Sequence, residues 1–248
     1  MKISIITTTF NSSKTVAETI ESILKQDYQD FEHIIIDGLS KDNTLDIVYS
    51  YETLYSGRLK VISEKDNGLY DAMKKGIQNA TGDIIGILNS DDVLACSNAL
   101  SLIVKKFESE KCDATYSDLI FMDEQTMSKP VRKWIAKTGN YKLGWHPPHP
   151  TLYIKKDVYN HLGNFDLQFR IAADYDFMIR LMKNDIKFGY IPKPLIHMRA
   201  GGVSTNGLSG YINNLKEAHC VLRKNKIPCA IFVDFIRIAK TLLQFIKK

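Results

Sequence analysis

The chain carries the stretch Gly82-Asp83-Ile84-Ile85-Gly86-Ile87-Leu88-Asn89-Ser90-Asp91-Asp92, in which a short apolar strand ends in an amide, a hydroxyl and two adjacent carboxylates. Carboxylates at the end of a buried strand are costly unless something pairs with them. The carboxyl ends of strands in an open α/β sheet are where ligands bind, and hard oxygen ligands there suit Mg²⁺ or Mn²⁺ with a diphosphate. The alternative interpretation is an Asx-rich turn that caps the next helix.

The segments before this stretch alternate between strand-like and helix-like patterns. Apolar runs over 3–8, 33–36 and 59–63 are typical of buried strands, and helical spacing follows each of them, over 12–25, 43–51 and 69–79. This alternation predicts an α/β fold with a mostly parallel central sheet and helices on both faces. After Lys111 we expect strands near 114–122, 151–154 and 188–191, a loop-rich basic stretch between the first two, and helices over 174–184, 210–225 and 230–248.

Composition excludes several classes of protein. The 248 residues carry a net charge of +5, which is too small to indicate a nucleic-acid partner. The four cysteines show neither metal-ligand nor disulfide spacing, so they are expected to be reduced thiols of a cytoplasmic protein. The N-terminal apolar run is too short for a signal peptide, and no run reaches the ~18 apolar residues expected of a membrane-spanning helix.

Two further turns at strand ends carry acidic side chains. Residues 37–44 begin Asp-Gly and contain Ser40, Asp42 and Thr44, a pattern that suits a ligand contact and equally suits a turn that starts a helix. Leu39 stands where a dehalogenase-type phosphatase needs a second aspartate, which argues against that class. Residues 64–72 contain Asp66, Gly68 and Asp71; Asp71 is either a ligand contact or a first-turn acid favoured by the helix dipole.

Taken in order, these motifs resemble family 2 glycosyltransferases. The motifs that carry the resemblance are Thr7-Thr8-Thr9-Phe10-Asn11, Asp37-Gly38-x-Ser40-x-Asp42-x-Thr44, Asp66-x-Gly68-x-x-Asp71-Ala72, Ala80-Thr81-Gly82-Asp83 and Asn89-Ser90-Asp91-Asp92. Each motif is weak alone, but the ordered set is specific and covers most of the first 200 residues. The resemblance implies a GT-A fold, a nucleotide-sugar donor, a divalent metal (Mn²⁺ or Mg²⁺) and inversion at the anomeric carbon.

The resemblance also assigns candidate donor-site residues. It implies contacts to a UDP-sugar from the residues Thr8, Phe10, Asp37, Asp66, Asp71, Asn89 and Asp91. It makes Asp92 the direct metal ligand. His197 is a second candidate for the metal or the diphosphate, although a satisfied loop histidine remains the alternative. The following Gly201-Gly202-Val203-Ser204 resembles a loop that closes over the donor.

The catalytic-base region of the family resembles 163–166 together with 172–181. Asp174 is then the general base, and a helix N-cap is the alternative role. Many members place a glutamate just before this aspartate, whereas this chain has Ala173. Asp176 fits better as an inward structural carboxylate that pairs with Arg180, four residues later on the helix.

The acceptor side is expected near two segments of the second half. His149 resembles the acceptor-site histidine of the family, and Trp145 stands in the same loop; a metal site at His146 and His149 is the alternative. The stretch 129–142 contains five basic residues and no acid, with Arg132 and Lys133 as candidate contacts to an anionic acceptor. A solvated basic face explains the same pattern.

The expected organisation is one domain over residues 1–228 with a C-terminal amphipathic helix over 229–248. Residues 1–111 would form the nucleotide-sugar-binding half and 112–228 the acceptor half. The helix has polar residues at helical spacing, aromatic and aliphatic residues on its other faces, and a Lys247-Lys248 end. It suits a membrane surface with anionic lipid, or packing on the core or against a second subunit of a homodimer.

The motifs and the resemblance together predict an inverting, metal-dependent hexosyltransferase. It would move a sugar from a UDP-sugar to a lipid-linked saccharide in bacterial surface polysaccharide (O-antigen-type) synthesis, on the inner face of the cell membrane. A sugar-nucleotide nucleotidyltransferase is the first alternative, but residues 9–13 lack the glycine and arginine that a triphosphate loop needs. A non-catalytic carbohydrate-binding protein of the same fold is the second.

Overall fold

The computed structural model describes residues 1–201 and 207–246, and the side chains of 207–209, 211 and 240–246 are outside the description. The first half alternates strands and helices as its apolar pattern predicts. Its elements are β1 (Ile3–Thr9), α1 (Val16–Leu24), β2 (Phe31–Asp37), α2 (Thr44–Ser50), α3 (Glu52–Tyr55), β3 (Leu59–Ser63), α4 (Leu69–Asn79) and β4 (Ile84–Ile87). These four strands are parallel in the order β3-β2-β1-β4, so their carboxyl ends meet at one edge.

The second half extends the same sheet. Its elements are β5 (Val93–Leu94), α5 (Ala99–Glu110), β6 (Ala114–Met122), β7 (Pro130–Trp134), β8 (Tyr153–Lys155), α6 (Lys156–Leu162), α7 (Ala173–Lys183), β9 (Phe188–Arg199), α8 (Gly207–Lys224) and α9 (Ala230–Ile246). In the described part of the chain the nine strands run β3-β2-β1-β4-β8-β6-β9-β5, and β7 pairs with β6. β8 is antiparallel to both of its neighbours, whereas β6 and β9 are parallel.

The core consists of two layers, one on each face of the sheet. Every residue of β1 is buried, because Ile3 and Ile5 pack into one layer while Ile6 packs into the other. Two glycines allow the layers to close. A methyl group at Gly76 of α4 would collide with Ile6, and one at Gly86 of β4 would collide with the ring of Tyr153.

The structure differs from the sequence prediction at three strands. The basic stretch expected as a loop contains β7, which pairs with β6. The strand expected over 188–191 continues to Arg199, because register shifts beside Ser117 and Asp118 accommodate Pro192 and Pro194 within β9. The two-residue strand β5 was not expected, and it is held by pairing with β9 rather than by its own pattern.

The helix α9 lies against β7 and the turn Tyr141–Leu143. Its Val233 is buried, and its Arg237 guanidinium lies 4.0 Å from the centre of the Tyr175 ring. Across the described ranges, no helix is both long enough and apolar enough to cross a membrane.

Candidate active site

The rim of the candidate site is formed by the loops that follow β1 and β2. The Asn11 amide donates to Ser40 Oγ at 2.8 Å, and the Lys41 amide donates to Asn11 Oδ1 at 2.8 Å. Asn11 and Leu39 adopt left-handed backbone conformations, with φ of 52° and 62°. Such backbone strain persists where surrounding contacts hold it, and here the reciprocal bonds between the two loops do so.

Asp37 anchors this rim from the end of β2. It is fully buried, and its carboxylate accepts hydrogen bonds from the Thr9 hydroxyl (2.9 Å), the Ser63 hydroxyl (2.8 Å) and both the amide and the hydroxyl of Ser40. Both carboxylate oxygens are therefore already used by the protein. A direct contact between Asp37 and a nucleotide, as the sequence predicts, requires the exchange of one of these bonds.

An exposed aromatic ring and a carboxylate face each other across Gly38. Phe10 is 64% exposed, and its ring would be in van der Waals contact with a side chain at Gly38. A methyl group at Gly38 would also collide with Asp66 Oδ2, while Asp66 Oδ1 accepts the Gly68 amide at 2.9 Å. Thr8 is buried at the adjacent end of β1. The structure thus brings Phe10 and Asp66 together beside Gly38, with Thr8 at the end of the adjacent strand.

Asp71 lies beside a cleft between the two halves. Its Oδ2 accepts the backbone amide of Asn67 at 2.9 Å and the Asn67 side-chain amide at 3.2 Å. The cleft has a volume of about 540 Å³ and is lined by residues 67–71 and by Leu167, Phe169 and Arg170. Asp71 therefore shapes the cleft wall through its own loop.

Asp92 is closed off from the cleft. Its side chain is 1% exposed, its Oδ2 accepts Asn89 Nδ2 at 3.0 Å, and its Oδ1 accepts the Arg199 amide at 3.0 Å. Burial first, and the charge of Asp91 second, raise the pKa of Asp92. The expected role of Asp92 as direct metal ligand stays a prediction. Each of its oxygens accepts one protein donor, and these bonds join β4 to the end of β9.

Asn89 and Asp91 fit a divalent metal better. Asn89 Oδ1 is buried and has no hydrogen-bond partner, and the half-buried Asp91 carboxylate accepts no bond from another described side chain. Burial raises the pKa of Asp91, which is the cost that a nearby cation would offset. Mg²⁺ and Mn²⁺ take one or two protein oxygens and complete their shell with phosphate and water. Within the residues described, no three His, Cys, Asp or Glu side chains already form a metal site.

The role of His197 at the metal or the diphosphate stays a prediction. His197 lies on β9 directly opposite Val93 of β5, which follows Asp91 by two residues. Burial lowers the pKa of His197. The loop expected to close over the donor begins at Gly201, which has a φ of 101°, and its remaining residues, 202–204, lie outside the described part.

Asp174 is reached directly from the donor half. The Tyr70 hydroxyl, on the first turn of α4, has two acceptors within hydrogen-bond reach of its single proton, the Ile171 carbonyl at 2.7 Å and Asp174 Oδ1 at 3.0 Å. Burial raises the pKa of Tyr70, and the neighbouring Asp174 charge adds to the effect. Asp174 itself is half-buried at the start of α7. One tyrosine thus links the loop that carries Asp66 to the candidate base.

Glu217 of α8 holds the backbone that leads to Asp174. One oxygen accepts the amides of Ile171 (2.8 Å) and Ala172 (3.0 Å), and the other accepts the amide of Arg170 (3.2 Å). α7 has no side-chain cap of its own, and this distant carboxylate satisfies the amide of its N-cap residue Ala172 and the two amides before it. Sequence reasoning missed both Tyr70 and Glu217, because no local motif marks partners so far apart along the chain.

The predicted structural role of Asp176 is confirmed. It is fully buried and accepts Arg180 Nε at 2.9 Å, Lys224 Nζ at 3.0 Å and Asn225 Nδ2 at 2.8 Å. These bonds tie α7 to the end of α8. They fix the helix that carries Asp174 without using Asp174.

The four expected acceptor residues are not gathered at one place. His149 lies close enough to Asp174 for that charge to oppose the effect of burial, which lowers the pKa of His149. Trp145 donates its indole N–H to the Ala136 carbonyl at 2.9 Å and packs on Tyr116. Arg132 and Lys133 are successive residues of β7, so they point to opposite faces. Arg132 lies over the Phe121 ring at 3.6 Å, and burial lowers its pKa to about 10.

Known proteins share this arrangement of motifs and sheet. A model of the family described as "Glycosyl transferase family 2" matches residues 4–178. A "PGL/p-HBAD biosynthesis glycosyltransferase" of Mycobacterium bovis is 30% identical over 184 residues, which are 73% of this chain and 70% of the relative.

Two solved structures share the fold. The structure of S. aureus TarS 1–349 in complex with UDP-GlcNAc superposes with a TM-score of 0.72 at 19% identity, over 90% of this chain and 66% of that one. Mannosyltransferase PcManGT from Pyrobaculum calidifontis, in complex with GDP-Man and Mn²⁺, superposes with a TM-score of 0.70 at 17% identity, over 94% and 69%. The expected GT-A fold is confirmed. The family model spans most of the chain and the relative is 30% identical, so this chain belongs to glycosyl transferase family 2 and is a glycosyltransferase.

Proposed function

We propose that this glycosyltransferase moves a hexose from a UDP-sugar to a hydroxyl group of a lipid-linked saccharide, with inversion at the anomeric carbon. The observation that carries the proposal is the bond between Tyr70 and Asp174, because it joins the donor edge of the sheet to a carboxylate on the other side of the cleft. A donor and an acceptor held on the two sides would meet there.

The donor side is assigned to Phe10, Asp66 and Thr8. A uracil ring would stack on exposed Phe10 and present its polar edge to Asp66. The UDP-GlcNAc complex of the structural neighbour TarS supports a uridine nucleotide. Asp37 supports this pocket by fixing the rim loop, and Asp71 by fixing the cleft wall.

Asn89 Oδ1 and Asp91 are proposed to hold Mn²⁺ or Mg²⁺. A metal bound there would supply positive charge to the diphosphate leaving group. The Mn²⁺ complex of PcManGT supports metal use in this fold. Asp92 keeps this pair in place through its bonds to Asn89 and to the end of β9.

Asp174 is proposed as the general base. Its carboxylate takes the proton of the acceptor hydroxyl while that oxygen attacks the anomeric carbon from the face opposite the diphosphate. The new glycosidic bond forms as the bond to the diphosphate breaks, so the products are the glycoside and UDP. Tyr70 orients the carboxylate, and His149 lies beside it on the acceptor side.

The acceptor is proposed to be a lipid-linked saccharide of a bacterial surface polysaccharide, met at the inner face of the cell membrane. Basic residues of the stretch 129–142 and the amphipathic α9 support an anionic, membrane-bound acceptor.

A donor screen tests the proposal. Purified protein is given a panel of UDP- and GDP-sugars with a polyprenyl-diphosphate-linked sugar, with and without Mn²⁺, and the products are separated by mass spectrometry. We expect sugar transfer and UDP release that Asp174→Asn abolishes, with binding of UDP retained. Asp185→Asn is the matched control, because Asp185 lies just beyond α7. Full transfer by Asp174→Asn would contradict the proposal. In a separate incubation, release of pyrophosphate from UTP and a sugar 1-phosphate would indicate the nucleotidyltransferase instead.

A further inference from the structure

Exposed apolar side chains concentrate on β7, on the turn that follows it and on α9. Six large apolar side chains there are about half exposed or more, namely Val131, Ile135, Leu143, Ile231, Phe232 and Phe235. The three elements are neighbours, since α9 packs against both β7 and the turn Tyr141–Leu143. We call residues 131–143 and 231–239 together the β7–α9 surface. Scattered exposed apolar residues are ordinary, but a concentration of them marks an interaction site.

The alternation of β7 gives this surface its pattern. Val131, Lys133 and Ile135 are exposed, whereas Arg132 and Trp134 between them are partly buried. On the outward side of the strand, Lys133 therefore lies between the apolar residues Val131 and Ile135. About half of the surface of Val131 and of Ile135 on this face is open to solvent, while the strand pairs with β6 along one edge.

The helix α9 turns Asp234 inward and Phe232 and Phe235 outward. Asp234 is the only acid in residues 230–248, and it faces His219 of α8 at 2.7 Å. Val233 and Arg237 pack on the domain, while Ile231, Phe232 and Phe235 remain on the outer side. The sequence continues this apolar spacing with leucines at 242 and 243 and an isoleucine at 246.

Charge decides what this surface binds. The exposed lysines 129, 133, 137 and 142 lie in a stretch without any acid. A second copy of the chain, joined by a two-fold axis, would bring the same lysines against each other. Anionic lipid headgroups attract them, and a membrane interface also accepts aromatic and aliphatic side chains beside them.

We propose that the β7–α9 surface docks on an anionic phospholipid bilayer. Its outward apolar side chains insert at the headgroup boundary and its lysines contact lipid phosphates. For its functional meaning this inference rests on the proposed lipid-linked acceptor. Arg237 of α9 packs on Tyr175, the residue that follows Asp174, so docking holds the candidate base near the membrane. Lys133 then contacts lipid phosphates rather than the saccharide acceptor.

Vesicle flotation tests the surface without donor or acceptor. The probes are vesicles of phosphatidylcholine alone and of phosphatidylcholine with phosphatidylglycerol. The full chain is expected to float with the anionic vesicles, and salt should weaken this binding. We expect Phe232→Ser/Phe235→Ser and Val131→Ser/Ile135→Ser each to lower the partition coefficient by about tenfold or more. Lys133→Glu should lower it by about 25-fold, since it changes the charge by two units and each unit near the surface contributes about fivefold.

The control is Leu54→Ser, which replaces an equally exposed apolar residue on α3. Its binding should equal that of the wild type, and circular dichroism should show all variants folded. The proposal is overturned by absence of binding to anionic vesicles, by an equal loss in Leu54→Ser, or by a wild-type dimer that the paired variants dissociate in light scattering. UDP binding measured in parallel separates the two hypotheses. If the wild-type chain binds UDP but not anionic vesicles, only the docking proposal is refuted. If it binds the vesicles but transfers no sugar, only the proposed function is refuted.

Discussion

Removing the carboxylate of Glu217 should slow sugar transfer without weakening donor binding. The three amides that it accepts belong to residues 170–172, directly before Asp174. Hydrogen bonds to a charged group contribute about 1.5–3 kcal/mol each. Because Glu217 is half-buried, water can bind the freed amides in Glu217→Ala and restore part of this energy. We expect a net loss of about 2–3 kcal/mol in holding this segment, which gives kcat about 30- to 160-fold lower.

The pattern across variants separates positioning from general destabilisation. Glu217→Gln retains one oxygen that can accept the amides of Ile171 and Ala172, but its NH₂ group faces the Arg170 amide, so its kcat should fall between those of the wild type and the alanine variant. The KM for the donor and the Kd for UDP should not change, because Phe10 and Asp66 lie on the other side of the cleft.

The assay is UDP release with a saturating acceptor, alongside thermal unfolding and calorimetric UDP binding. Glu110→Ala is the matched control, since that glutamate makes a solvent-exposed ion pair with Lys106 on α5. The reasoning is refuted if Glu217→Ala keeps the wild-type kcat while folded. It is also refuted if kcat and UDP affinity fall together, which would indicate a general loss of structure.

Three further predictions concern stability and metal binding. His33 is fully buried, and burial lowers its pKa from 6.5 to about 3, so only the unfolded chain takes up a proton between these values. The free energy of unfolding should therefore fall by up to about 1.4 kcal/mol per pH unit as the pH decreases through this window. In urea unfolding, His33→Gln should show a shallower dependence of this free energy on pH. Asp91→Asn should raise the Mn²⁺ concentration at half-saturation by at least about tenfold, since even outer-shell partners of a metal change affinity by that factor. Electron paramagnetic resonance of free Mn²⁺ measures this binding without turnover. An unchanged half-saturation would remove Asp91 from the metal site. Gly86→Ala should lower the free energy of unfolding by about 1–3 kcal/mol, because the new methyl group meets the ring of Tyr153 in a packed core, and equal denaturant midpoints would show that the strands move apart freely.

Local patterns were enough to predict the first half of the chain. Apolar runs and turn residues predict β1 to β4 and the helices α1, α2 and α4, whereas the short α3 was not expected, and the acidic residues follow strands whose ends meet at one edge. The pairing of Asp176 with Arg180 was equally accessible, because residues four apart share a helix face.

Long-range pairing explains what the sequence did not show. β5 and β7 are strands because of their neighbours, and β9 passes two prolines because register shifts absorb them. The closure of Asp92 depends on the Arg199 amide, and the support of Asp174 depends on Tyr70 and Glu217. A single sequence does not reveal such partners, since each bond joins segments that no motif connects.

The interleaved strand order bears on how the chain folds during synthesis. β4 pairs on its outer side with β8, and β5 pairs with β9. The first 111 residues therefore leave one edge of β4 open and β5 without its partner strand. An open apolar edge invites pairing with other chains. The emerging polypeptide therefore stays dependent on its own later segments, and a ribosome that stalls before residue 199 would release an aggregation-prone product rather than half of an enzyme.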